Sequence, residues 1–123
     1  MSVIKSSLVI AGVVFVTGCN TALLGTYGED NQTFDAFKQR VEDVFQLQNS
    51  MTSAVMLLES EPSADILKDE AAMRGACASL NEAGSREMDG LDISLSLGKR
   101  IEKTVANCEK AAKLLQRRLE QVK

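Results

Sequence analysis

Residues 34–58 read FDAFKQRVEDVFQLQNSMTSAVMLL, and their spacing decides the fold class. Apolar side chains recur at Phe34, Phe37, Val41, Val44, Met51, Val55 and Leu58, and Gln48 fills the one remaining place in the series. The steps alternate three and four, the period of a helix that buries one stripe against neighbouring helices. A strand would alternate by two. Gln48 is the polar intrusion. It either fixes the register of packing at a cost in stability or lies near an edge and reaches water. The helix is expected to start near Asn31 or Thr33, with Asp35 in a first turn that favours an anion.

Working toward the C-terminus, Ser60-Glu61-Pro62-Ser63 breaks this helix, and Pro62 suits the first turn of the next. A second helix is expected over about 63–83. Its stripe of Ile66, Met73, Cys77 and Leu80 is padded by Ala71, Ala72, Ala76 and Ala78, and Gly84 stands where a C-cap belongs. The last helix is clearer. Ile101, Val105, Cys108, Ala112, Leu115, Leu119 and Val122 step by four and three. Residues 85–98 include Asp92-Ile93-Ser94-Leu95-Ser96-Leu97, which alternates like a strand but has no partner strand. It reads as a loop or an irregular helix start. The expectation is an all-α bundle of about three helices over 31–123.

Toward the N-terminus the chain changes character. Lys5 and the free amine precede Leu8–Val16, an apolar run interrupted only by Gly12. A basic segment and a short apolar one have the layout of an export signal. A spanning helix needs about 20 apolar residues, more than this run supplies. The run closes on Val16-Thr17-Gly18-Cys19, which resembles the lipobox of bacterial lipoproteins. The resemblance implies that residues 1–18 are a cleaved signal peptide and that Cys19 becomes the lipidated first residue of the mature chain. Residues 19–30, with two glycines and no periodicity, would then be a lipidated tether. One acyl chain holds a protein only marginally, so the two or three carried by a lipoprotein cysteine make release negligible. Asn20, where an aspartate would favour inner-membrane retention, implies an outer-membrane protein facing the periplasm.

That compartment bears on the other two cysteines. Cys77 and Cys108 remain once Cys19 is modified, and an even pair in an oxidising periplasm implies a disulfide. The alternative is two free buried thiols. The bridge constrains the topology. A tight turn at Gly84–Gly90 would set Cys77 beside about Leu97, leaving Cys108 11 residues on, about 16 Å along the axis. A disulfide tolerates a Cα separation of about 7 Å at most. Either the connection runs long, to about Gly98, or the second helix continues past Gly84 with a kink. Closing a loop of about 30 residues contributes on the order of 3 kcal/mol.

Charge is uneven. Residues 29–92 carry 14 acidic and 5 basic side chains, a net of −9, whereas 99–123 carry 8 basic and 3 acidic, a net of +5. Adjacent helices can neutralise one another with this pattern. An acidic exported chain whose only basic stretch lacks aromatic residues is no nucleic-acid binder.

No catalytic constellation is legible. The chain has no His and no Trp, which removes the commonest general base and any Cys-His metal site. Glu42-Asp43 and Asp69-Glu70 are adjacent carboxylates that point different ways on a helix. No catalytic residue, metal or cofactor is expected. Among the five methionines, Met51, Met56 and Met73 are core filler or part of an adaptable groove. The expected role is a non-enzymatic protein-interaction or assembly accessory of the cell envelope. Its partners would be the membrane, through Cys19, and another envelope protein. The competing readings are an exclusion or immunity-type inhibitor lipoprotein and a self-associating structural stalk, which predicts a homo-oligomer.

Overall fold

Hydroxyl side chains start three of the helices. In the computed structural model, which describes residues 26–28 and 30–123, Thr33, Ser63 and Ser94 each accept a hydrogen bond from the backbone N–H three residues on. Such caps satisfy one of the donors a helix leaves unpaired at its start. The first helix, α1, spans Phe34–Met56; α2 spans Ala64–Ala76, α3 Ala78–Met88 and α4 Leu95–Glu120. The signal segment, Cys19 and the tether as far as residue 25 lie outside the described residues. Among the described residues no helix is long and apolar enough to cross a membrane.

The fold is all-α, with four helices among the described residues rather than the expected three. The difference is one residue. Cys77, with φ −93° and ψ 6°, leaves helical geometry and divides the second helix into α2 and α3. The hydrogen-bond ladder continues through it. Its N–H donates to the Met73 carbonyl at 2.9 Å, and its own carbonyl accepts from Asn81 at 3.0 Å. The interruption is therefore a kink, and it falls at the residue bonded across to α4. Cys77 and Cys108 form a disulfide with their Cα atoms 4.6 Å apart.

Helical structure continues past Gly84 to Met88, which is the continued-and-kinked solution to the disulfide geometry. Gly84 is therefore not a C-cap. A Cβ built on it would lie 2.8 Å from the Phe45 ring, so the position is small because an aromatic side chain occupies the space. The chain turns instead at Gly90, with φ 68°, a backbone region that glycine enters without steric cost. Pro62 lies one residue before the Ser63 cap rather than in the first turn. Residues 95–98, read as part of a loop or an irregular helix start, are the regular first turn of α4.

The core follows the stripes. Phe37, Val44 and Val55 from α1 meet Ile66 and Met73 from α2, Leu80 and Ala83 from α3, and Val105, Ala112, Leu115 and Leu119 from α4. Gln48 is buried, and its amide donates to the Asn81 side chain. The seam's polar residue thus pins α1 to α3 and does not reach water. Opposite charges pair across helices as the charge asymmetry implied. Arg118 of α4 meets Asp69 of α2 at 2.8 Å, and Arg100 meets Glu82 of α3 at 3.1 Å.

Candidate functional site

Two of the solvent-facing concavities among the described residues lie between α1 and its neighbours, and they differ in chemistry. The polar one lies between α1 and α4. Arg40 joins Asp30 at 2.5 Å and Glu109 at 3.1 Å, and Glu109 also accepts from Lys113 at 2.8 Å. Its volume is about 510 Å³, and Gln39, Asp43 and Leu47 line it as well. Burial works against the Arg40 charge, but Glu109 and Asp30 together outweigh it and hold the guanidinium above its ordinary value. Lys113 holds the Glu109 carboxyl below its usual 4.5; burial opposes the shift, and Arg40 adds to it. On α4, the Asp69 carboxylate raises Arg118. These are settled ion pairs. In Arg40 and Glu109 the partner charges outweigh the opposing effect of burial, so the charged forms are favoured.

The polar cluster has a structural job. Asp30 belongs to a short reversal in which Tyr27 and Gln32 exchange backbone hydrogen bonds of 2.8 and 3.0 Å. Arg40 thus ties the segment preceding α1 to α4. The Tyr27 ring stacks on Phe37 at 5.9 Å and meets Phe34 edge-on at 5.4 Å. Gly28, with φ 71°, lets the backbone pass over Phe37, where a Cβ would lie 3.2 Å from the ring.

The apolar concavity is the stronger candidate, because ligand sites are mostly apolar with a few placed polar groups. It is a groove of about 290 Å³ between α1, α3 and the start of α4. Val41, Phe45, Leu80 and Ala83 form its floor with Ile101. Phe34 and Ile93 stand at its mouth, and Lys38, Glu42 and Glu87 lie on its rim. It arises because α1 carries apolar side chains beside the seam as well as on it. Phe45 follows Val44, packs half-buried against the edge of the core and fills the space that Gly84 leaves on α3.

The three residues singled out in the sequence fall as follows. Cys77 and Cys108 are brought together in the core, and Cys19 lies outside the described residues. Of the methionines considered for a groove, Met73 is fully buried, Met51 is half-buried and Met56 is exposed; none lines the apolar groove. Phe34, Val41, Leu80 and Ile101 stand on the apolar stripes expected from the sequence, but nothing there marked them as lining a groove. The available signal was Phe45, an aromatic one place off the heptad series. Asp69 and Glu70, read as surface carboxylates, are both buried, and Asp69 accepts from Arg118. Among the described residues no group of three or more metal-ligating side chains converges. Compared with known protein families, with curated proteins and with solved structures, the chain matches none.

Proposed function

We propose that this chain is a bacterial lipoprotein anchored by Cys19 to the outer membrane, facing the periplasm, and that it is a non-enzymatic interaction or assembly accessory of the cell envelope. The anchor rests on the basic start, the short apolar run and Val16-Thr17-Gly18-Cys19. A disulfide through the core fits an oxidising compartment. The observation that carries the interaction role is the groove. A bundle closed by a covalent bridge nevertheless leaves Val41 and Phe45 only half-covered beside the buried Ile101, with Phe34 and Ile93 exposed at the mouth. At about 290 Å³ it has room for side chains of a partner helix rather than for the helix itself. The charged rim would set the partner's orientation.

The test is crosslinking in intact cells followed by detergent extraction, pull-down and mass spectrometry. The wild type, Cys19→Ala and Val41→Glu are run in parallel. The expected result is one envelope protein captured by the wild type and lost with Val41→Glu, while Cys19→Ala loses both its lipid label and its membrane fractionation. Recovery of nothing but the chain itself, as a discrete oligomer, refutes the partner groove. A Cys19→Ala variant that keeps its lipid label refutes the anchor.

A further inference from the structure

The structure carries a second exposed apolar surface, apart from the groove floor. Four large side chains cluster where α3 turns into α4: Met88 is 90% exposed, Leu91 53%, Ile93 45% and Leu95 87%. A soluble turn has little reason to present four such residues within eight positions, and a patch of this kind marks a contact surface.

Where the chain enters the bundle says what covers the patch. Tyr27, eight peptide links after Cys19, packs against Phe34, and Phe34 shares the mouth of the groove with Ile93. Thr26 and Gly28 also line one concavity with Glu102 and Lys103, two helical turns from Leu95. The entry point and the apolar turn are therefore at one end of the bundle. Eight links reach at most about 28 Å. A lipid on Cys19 holds this end within about 28 Å of the bilayer, nearer than the far end of α1.

From this juxtaposition we propose that the α3–α4 turn is a membrane-contact surface: Met88, Leu91, Ile93 and Leu95 rest in the headgroup region of the membrane that holds Cys19. The inference rests on the lipid-anchor reading above. The chemistry of the turn sets the depth. Asp89 and Asp92 alternate with the apolar residues, and carboxylates do not enter hydrocarbon, so contact is shallow. Lys99 and Lys103, on the first turns of α4 beside Leu95, can lay their stems along the interface with their ammonium groups at the phosphates. The patch would orient the bundle, with the far end of α1 pointing away from the bilayer. Phe34 and Met56, at opposite ends of that helix, are about 33 Å apart along its axis.

The chain's lack of tryptophan supplies the test. Leu95→Trp and Met56→Trp each introduce a single indole at an exposed site. Full chains made in bacteria, extracted in detergent and checked by mass for lipid on Cys19, are reconstituted into vesicles of phosphatidylethanolamine and phosphatidylglycerol, with and without brominated acyl chains. The expected result is blue-shifted emission and quenching by the bromolipid for Leu95→Trp, and neither for Met56→Trp. Lipidated protein that floats with the vesicles while both reporters stay unquenched overturns the contact surface and leaves the anchor standing. Quenching at Met56→Trp instead overturns the orientation. Protein without lipid that does not float refutes the anchor, and the contact surface with it.

Discussion

The two sides of this bundle are built to different standards. The α2–α4 side is closed. Ile66, Met73, Cys77 and Leu80 are essentially buried against Cys108, Ala112 and Leu115, and a covalent bond joins the two stripes at their middle. The α1 side is open. Of its eight seam positions only Phe37, Val44, Gln48 and Val55 are buried; Val41, Met51 and Leu58 are half-covered, and Phe34 is exposed. Both stripes have the same period in sequence. What separates them is residue size and cross-linking. Cys77, Cys108 and Ala112 let α4 approach its neighbour closely, whereas Ala71, Ala72 and Ala78, expected to pad that stripe, are exposed; the aromatic residues of α1 hold it off and leave the groove. The closed side carries the covalent bridge, and the open side carries the groove proposed to take a partner.

The hardest test of that division is to cut the bridge. Cys77→Ala with Cys108→Ala removes a closure spanning 31 residues, on the order of 3 kcal/mol, and leaves small voids besides. In a domain of about 100 residues this lowers Tm by on the order of 15 °C. Thermal unfolding followed by circular dichroism measures it. A Tm within a few degrees of wild type would mean that the α2–α4 packing holds without the bridge, and the comparison would lose its main term.

The next test falls on the pin between the two sides. Asn81 is exposed, and truncating an exposed residue ordinarily changes stability by less than about 0.5 kcal/mol. Here it accepts from the buried Gln48 amide. Asn81→Ala leaves that donor without its partner and should cost about 1–3 kcal/mol. Gln48→Leu removes the buried polar group itself, so adding it to Asn81→Ala should restore much of the loss. A double-mutant cycle in urea gives the coupling. Additive effects would show that the contact holds nothing in register.

These cases show what the sequence carried and what it did not. The period of residues 34–58 and 101–122 is a property of single helices, and it predicted α1 and most of α4 to within a few residues. The disulfide geometry was also legible, because a Cα separation limit turns two positions in a chain into a constraint on the path between them. The failures share one cause. Gly84 was read as a cap because glycine usually means backbone freedom, yet its role is set by Phe45, 39 residues away in the chain. The kink was one of two paths the disulfide allowed, but its place at Cys77, the residue bonded to another helix, was not legible. The groove could not be read at all, since it is a space between three elements and belongs to none of them.

Gly84 also provides the finest test of the comparison, because it sits where the closed side meets the open one. Replacing it by alanine has two opposed effects. Alanine is a better helix former than glycine by about 0.5–1 kcal/mol at an interior position. The new Cβ, however, would stand 2.8 Å from the Phe45 Cζ atom, and one of them must move. If α1 packed there as tightly as α4 packs on α2, the overlap would dominate and the variant would be destabilised by 1–3 kcal/mol, the ordinary cost of overpacking. The contacting atom is instead the far end of a half-buried ring that borders an open groove, so the ring has somewhere to go. Gly84→Ala should therefore be close to neutral in stability, with the two terms cancelling to within about 1 kcal/mol, while the displaced ring fills part of the groove. Urea unfolding checks the first half of this expectation, and the crosslinking yield with the envelope partner checks the second. Unchanged stability with reduced capture would place partner binding on the open side. A clear loss of stability would mean that the groove wall is as rigid as the core.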